Sequence, residues 1–437
     1  MIDMRETPKN PPHPNPLNHP LQSQSNGYPG KRDYSPGLEG VIAGESALCE
    51  VDEGEHGLRY RGYAVSDLAE HASFEEVAYL LLYGKLPTRK ELEDFSEQLR
   101  RQWPLPGPVE AFIGVVPPDA HPMDILRTGV SLLGMTDSDA SGEGDVLASP
   151  GRAGETGTGD VLASPGGAGE IQNSHDANLR KAVRLMAQIP MIITNAHRLA
   201  HARRHVQPRD DLRFAENLLY LLTDRHGDEK AKAMARVLDV SLILYAEHEF
   251  NASTFAARVT ASTLTDLHAA ITSAVATLKG PLHGGANEAV AAMLLEIKTR
   301  DRAEKWVRDA LAQKRRVMGF GHRVLRKGDA RSLIIQRHAE VLSQACGDTR
   351  WYDIATIVDR VMQQEKGLYP NLDFYTAVAY LLMGIPRDLY TPVFVCSRIT
   401  GWCAHVIEQQ DHNRLIRPRA LYTGPPPQSY VPIDRRA

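Results

Sequence analysis

An all-α fold is the architecture this sequence predicts, and three observations predict it. Apolar residues recur at i, i+3, i+4 and i+7 in segment after segment, the spacing of one helix face. Alternating strand patterns are scarce, with "GLRYRGYAV" (57–65) the best candidate. One stretch, "YTPVFVCSRITGWCAHVIEQ", is apolar nearly all round, which predicts a central buried helix.

Along the chain, residues 1–36 come first, Pro-rich at the outset and without an apolar h-region. They read as a disordered tail, neither a secretory signal nor a usual transit peptide. "SFEEVAYLLLYGKLP" then has a Ser start, an acidic first turn, an apolar stripe and a Gly-Lys-Leu-Pro stop. From about Asp137 to Ser174 the composition turns to Gly, Ser and Ala, and "GDVLASPG" occurs twice, from Gly144 and from Gly159. Two copies with few apolar residues cannot build a core, so the segment reads as a duplication inside a surface loop. Loop-closure entropy grows slowly with length, so a fold can carry it.

Helical periodicity resumes in "DANLRKAVRLMAQIPMIITNAHRLAHAR", "FAENLLYLLTDRH", "EKAKAMARVLDVSLILYAEHEF" and "STFAARVTASTLTDLHAAITSAVATLK". It continues through "RAEKWVRDALAQK", "ARSLIIQRHAEVLSQAC", "WYDIATIVDRVMQQEKG" and the stretch from Leu389 to Gln410.

Composition narrows the function classes. With 437 residues, 42% hydrophobic, 24% charged and a formal net charge of −4, nothing points to nucleic acid or an anionic membrane as partner. Four cysteines without a C-x-x-C pair indicate neither a disulfide framework nor a zinc site, and a reducing cytoplasm fits. No run of about 18 apolar residues is present for a membrane span. His197, His201 and His205 have the spacing of a metal ladder, but without a nearby carboxylate they read as an exposed basic face.

Chemistry concentrates in four stretches. "YAEHEFNAST" sets His248 between two glutamates, with Asn251 and Ser253 available as helix caps. "KGPLHGGANEAV" puts His283 at or just before a helix N-terminus, where the macrodipole disfavours a further positive charge and keeps the imidazole neutral. Gly284 and Gly285 read as points of close approach for a substrate. "VMGFGHRVLRKGDARS" places His322 ahead of Arg323, Arg326, Lys327 and Arg331. "LYPNLDFYTAVAYLLMGIP" starts an apolar helix with Asp373. Taken singly, each has a plainer reading: a turn, a cap, a solvated loop, a satisfied core histidine.

Together, "HEFNAST", "GPLHGGANEA", "GFGHRVLRKGDAR", "PNLDFYTAVAY" and "SRITGWCAHVIEQ…NRLIRPRALYTG" resemble the signature segments of citrate synthase, in that family's order. The likeness runs from about Gly37 to Ile433, broken by the duplicated insertion. It implies an all-helical, two-domain subunit in a homodimer: a large domain over 37–283, a small closing domain over 284–379, and a return to the large domain with a C-terminal arm over 380–437. It implies His283, His322 and Asp373 as catalytic residues, and His248, His322, Arg331, Arg398 and Arg417 as ligands of oxaloacetate, with Arg417 coming across the dimer interface. Arg326 would meet a coenzyme A phosphate, and Phe394 would lie against the substrates. The coenzyme A thioester is a substrate, and no cofactor or metal is implied. Where the family usually reads Asp-Pro-Arg this chain reads Asp329-Ala330-Arg331, which loosens the turn and keeps the arginine.

The residue types suit the reaction implied, condensation of acetyl-CoA with oxaloacetate. Guanidinium forks pair bidentately with the carboxylates of a dianion. Asp373 is the one carboxylate in these motifs placed to act as general base on a weakly acidic methyl group. A neutral His283 would donate to the developing enolate oxygen. The segment "NRLIRPRALYTG" is more similar to citrate synthases than to 2-methylcitrate synthases, which use propionyl-CoA and are the alternative within the family. Outside it stand a metal-dependent hydrolase ligating through His248, His283, His322 and Asp373, and a non-catalytic helical scaffold.

Overall fold

The computed structural model describes residues 34–52, 57–139, 173–321 and 329–436. The N-terminal tail up to residue 33, the duplicated insertion over 140–172, and the segment carrying His322, Arg323, Arg326 and Lys327 lie outside the described residues.

The described chain is helical, as predicted. A small antiparallel sheet opens it: β1 (Cys49–Val51), β2 (Leu58–Tyr60) and β3 (Tyr63–Ala64), in the order β1-β2-β3. "GLRYRGYAV" thus supplies two strands, and the short β1, which has no alternation to read, pairs Cys49 with Tyr60 and Val51 with Leu58.

Five helices follow: α1 (Val65–His71), α2 (Phe74–Tyr83), α3 (Arg89–Arg101), α4 (Gly107–Val115) and α5 (Pro122–Thr136). The Ser start of α2 is a full capping box with Glu76, and Gly84 ends the helix in the left-handed conformation that glycine adopts without steric cost. Beyond the insertion come α6 (His175–Ala200), α7 (Phe214–Thr223) and α8 (Glu229–Tyr245). The single periodic stretch 253–279 divides into α9 (Ala252–Ala261) and α10 (Leu267–Leu278). Leu264 turns with a positive φ, and Asp266 caps α10 by accepting from the Ala269 N–H. Periodicity continued across the break because both halves bury their apolar faces against each other.

Then come α11 (Ala286–Ile297), α12 (Arg300–Ala312), α13 (Ala330–Cys346), α14 (Arg350–Lys366), α15 (Leu372–Met383) and α16 (Tyr390–Asp411). Helix α16 is buried along most of its length, from Tyr390 to Ile407, and packs on α6, α9, α10, α2 and α8. A helix without a polar face has no side to give to water, so its place is the centre.

The described residues form two units. Ser46–Pro418 holds every strand and α-helix above. The described parts of the other, residues 34–45 and 419–436, carry two 3-10 turns (Pro36–Leu38 and Ile433–Arg435) and are exposed almost throughout. No described helix is long and apolar enough to cross a membrane.

Two anchors hold the end of α8, where the candidate site lies. The Tyr60 hydroxyl, fully buried on β2, sits 3.1 Å from the carbonyl oxygens of Ile243 and Glu247 and accepts from the Glu247 N–H at 3.3 Å. From the other side α16 comes so close that a Cβ at Gly401 would overlap the Ala246 carbonyl and Glu247 Oε2. Glycine there is a packing requirement.

Candidate active site

The last turn of α8 is the hub. The Tyr245 hydroxyl donates to Asp373 Oδ1 at 2.6 Å, and the Tyr245 carbonyl accepts from Arg398 Nε at 2.6 Å. Its ring packs on Phe394 with centroids 4.3 Å apart, and the Arg398 guanidinium lies 4.8 Å over the Phe394 ring. One residue earlier, the Leu244 carbonyl faces Arg331 Nη1 at 3.4 Å. Four residues from three helices, Asp373 on α15, Arg398 and Phe394 on α16 and Arg331 on α13, therefore meet around two consecutive residues of a fourth.

Asp373 occupies the second position of α15, whose cap Asn371 accepts from the Asp373 N–H at 3.1 Å. A carboxylate in a first helical turn is favoured by the macrodipole, yet this one is pushed up to about 6. Burial raises it, and the Tyr245 hydrogen bond and the charges of Arg331 and Arg398 only partly offset that.

His283 is held from α9. The Ser253 N–H donates to its Nε2 at 3.3 Å, and the Ser253 hydroxyl lies 2.7 Å from the same atom. An N–H needs an acceptor, so Nε2 carries the lone pair and the ring hydrogen sits on Nδ1. Burial depresses the imidazole to about 4, and the charge of Arg398 adds to that. The ring is neutral as predicted, but for a different reason: α11 starts at Ala286, and desolvation does the work assigned to the helix dipole. The role of Gly284 also changes. A Cβ there would collide with the carbonyl of Leu278, so the glycine lets the chain close on the end of α10 rather than admitting a substrate.

Arg331 is 5% exposed and already paired: Asp329 takes its Nε and Nη2 at 3.0 and 2.9 Å and also caps α13. The Asp-Ala-Arg turn is thereby held by an ion pair and a cap in place of proline. Arg398 is 2% exposed, and burial lowers its affinity for the proton against the pull of Glu247. His248 is buried just after α8, next to Glu247. Arg417 lies beyond α16 and is exposed. His322 and Arg326 lie outside the described residues, but the backbone leading to them is pinned beside Asp373. Gly321 N donates to Tyr369 O at 3.0 Å, and Asn371 N to Gly319 O at 2.9 Å.

The motifs do not mark several neighbours of these residues. Tyr245 and Asn287 lie within the motifs with nothing local to mark them, and Asn287 Nδ2 donates to the Tyr245 hydroxyl at 3.1 Å. Ser253, expected as a cap, instead holds His283 and accepts from Trp402 Nε1 at 3.1 Å, while Asn251 caps α9. Behind Glu247 runs a buried chain. Arg258 Nη1 donates to His405 Nδ1 at 2.9 Å, so His405 must donate through Nε2 to Glu247 Oε1, also at 2.9 Å. Partners from 30 to more than a hundred residues away leave no local pattern to find.

Two features lie apart from this chemistry. A cavity of about 570 Å³ opens between α2, α3 and α7, lined by Arg89, Trp103 and Arg213 and by none of the predicted residues. His197, expected on an exposed face, is half-buried with its Nε2 3.7 Å from Asp388; His201 and His205 are exposed. No cluster of three metal-ligating side chains occurs among the described residues.

Comparison with known proteins finds relatives along nearly the whole chain. The family described as citrate synthase, C-terminal domain, matches residues 37–419. Citrate synthase 2 of Bacillus subtilis is 42% identical over 402 residues, 92% of this chain and 99% of that protein. The 2-methylcitrate synthase of Shewanella oneidensis is also 42% identical, over 93% of this chain and 99% of its own. The citrate synthase of Thermoplasma acidophilum, solved as a ternary complex with carboxymethyl coenzyme A and oxaloacetate, superposes with a TM-score of 0.79 at 33% identity, covering 93% of this chain and 100% of that one.

Proposed function

The chain belongs to the citrate synthase family and is an enzyme of that type, a transferase, and from this we propose that it condenses acetyl-CoA with oxaloacetate and hydrolyses the citryl thioester to citrate and coenzyme A. One observation carries the reading. A carboxylate raised to about 6 and an imidazole depressed to about 4 both lie in the field of Arg398, the environments a base and an uncharged donor need.

Asp373 takes a proton from the acetyl methyl group, and the developing enolate oxygen accepts from His283, which needs no prior deprotonation to stay neutral. The enolate carbon attacks the ketone carbon of oxaloacetate while His322 donates a proton to the ketone oxygen. Water then cleaves the thioester and releases coenzyme A. Arg331, Arg398 and His248 hold the oxaloacetate carboxylates from within the subunit. Arg417 reaches a partner subunit's site in a homodimer, a role its exposure permits. Arg326 meets a coenzyme A phosphate, and Phe394 closes the site beside Tyr245. The proposal includes closure of a small domain over 284–379 on the large domain of 37–283 and 380–437, and a cytoplasmic location.

Relatives of equal identity carry the names citrate synthase and 2-methylcitrate synthase, so the acyl group is the point to test. The measurement is kcat/KM for acetyl-CoA and propionyl-CoA at one oxaloacetate concentration. Discrimination by one methylene is worth roughly 10- to 200-fold. A ratio of about tenfold or more for acetyl-CoA sustains the proposal, and a preference for propionyl-CoA replaces it with 2-methylcitrate synthesis.

A further inference from the structure

We propose that Tyr245 is the positioning residue of the base: its hydroxyl, steered by Asn287, occupies one oxygen of Asp373 and leaves the other to take the substrate proton. The inference rests on the reading of Asp373 as the general base.

The hydrogen-bond directions follow from donor and acceptor capacity. The Tyr245–Asp373 Oδ1 distance is 2.6 Å, the range of an O–H donating to a carboxylate. A tyrosine has one hydroxyl hydrogen. With that hydrogen given to Asp373, the oxygen can only accept from Asn287, which fixes Nδ2 as the atom 3.1 Å away. Asn287 is 1% exposed, and its Oδ1 has no hydrogen-bond partner among the described residues. Turning the amide over would set that oxygen against the tyrosine oxygen with no hydrogen between them.

Tyr245 is itself immobilised. It ends α8, its carbonyl accepts from Arg398 Nε, and its ring lies against Phe394. The charged and titratable groups acting on Asp373 are Arg331 and Asp329 from α13 and its cap, and Arg398 from α16, while Tyr380 on its own helix feels its charge. Among the influences favouring the carboxylate, the Tyr245 hydrogen bond is the largest. The hydroxyl therefore orients the base and also keeps it ionised despite burial.

Tyr245→Phe tests this, since it keeps the ring on Phe394 and removes only the donor. Proton–deuterium exchange of the acyl methyl group with oxaloacetate bound should slow roughly ten- to hundredfold, the range for a hydrogen bond to a charged group. The acid limb of the kcat profile should move up by about one pH unit, because a carboxylate without its donor holds its proton longer. A merely structural tyrosine would not move that limb. Asn287→Ser should show a smaller change of the same sign, and adding it to Tyr245→Phe should cost nothing further. Full wild-type exchange and an unmoved limb in folded Tyr245→Phe overturn the inference alone. Additive losses in the double variant overturn it too, by showing that Asn287 does not act through the hydroxyl. A wild-type enzyme that neither condenses nor exchanges with either acyl-CoA overturns the proposed function, and this inference with it.

Discussion

Two clusters of aspartates and arginines in this molecule behave oppositely. At the stem of the insertion, Arg184 on α6 forks both oxygens of Asp137 and reaches Asp139, while Arg180 forks Asp139. There burial works to raise Asp139, but the two arginines win and hold it below the usual aspartate range, and Arg180 is raised in turn. Around Tyr245, Asp373 is raised and Arg398 lowered. The first cluster is closed: each charge answers another, which suits a structural clamp. In the second, Asp329 forks Arg331 and holds it, while Asp373 and Arg398 are both shifted toward their neutral forms, which on the proposed function readies them for substrate. The difference lies in pairing and in solvent, since Arg180 of the first cluster is exposed while Arg331 and Arg398 of the second are buried.

The largest effect that sharpens this contrast is expected from Asp373→Asn. It should preserve the fold and reduce kcat by roughly 10²- to 10⁴-fold, the share of a general base, with acyl methyl exchange stopped. Exchange at the wild-type rate in this variant would erase the distinction between the clusters. Arg184→Ala addresses the other side. It leaves Asp137 buried without its fork and should cost about 3–5 kcal/mol of stability, read by denaturant unfolding, with kcat per folded molecule unchanged.

The pH dependences should also diverge. Activity should fall about tenfold per pH unit below about 6 as Asp373 gains a proton, with no limb from His283 above pH 5. In stability the signs oppose. Asp373, raised from 3.8 to about 6, contributes stability that is lost as pH rises through that window. His268 beside Asp137 is depressed by burial from 6.5 to about 4, and its contribution is lost as pH falls between those values. Unfolding of Asp373→Asn and of His268→Gln across pH 4–7 separates the two slopes.

The smallest effect is expected from the insertion. Excising Gly144 to Gly169 leaves Asp137, Asp139 and both arginines in place, and should change stability by no more than about 0.5 kcal/mol. Loss of most activity, or a shift comparable to that of Arg184→Ala, would show that the duplicated segment packs on the enzyme.

Much of this was legible in the sequence because its cause is local. Helix periodicity, the capping box at Ser73 and the apolar envelope of α16 follow from residues within a turn or two of one another. The site motifs were legible too, since glycines, histidines and a helix-leading aspartate make an unusual local composition. The break between α9 and α10 was not, because both halves bury apolar faces and periodicity runs through the turn at Leu264. Nor was β1, three residues long and strand-like only through its pairing with β2.

What the sequence determined by itself is an all-helical chain with four chemical stretches and a neutral histidine ahead of a helix. Only the tertiary structure decided why that histidine is neutral, since desolvation comes from the fold packed around it and the charge of Arg398 arrives from α16, more than a hundred residues away. It alone decided that Tyr245, silent in its segment, would join base, arginine and aromatic wall. Hydrogen bonds and burial act over a few ångströms of space whatever the separation along the chain. A side chain's chemistry is therefore written in its own residue, while its pKa, tautomer and partner belong to the fold around it.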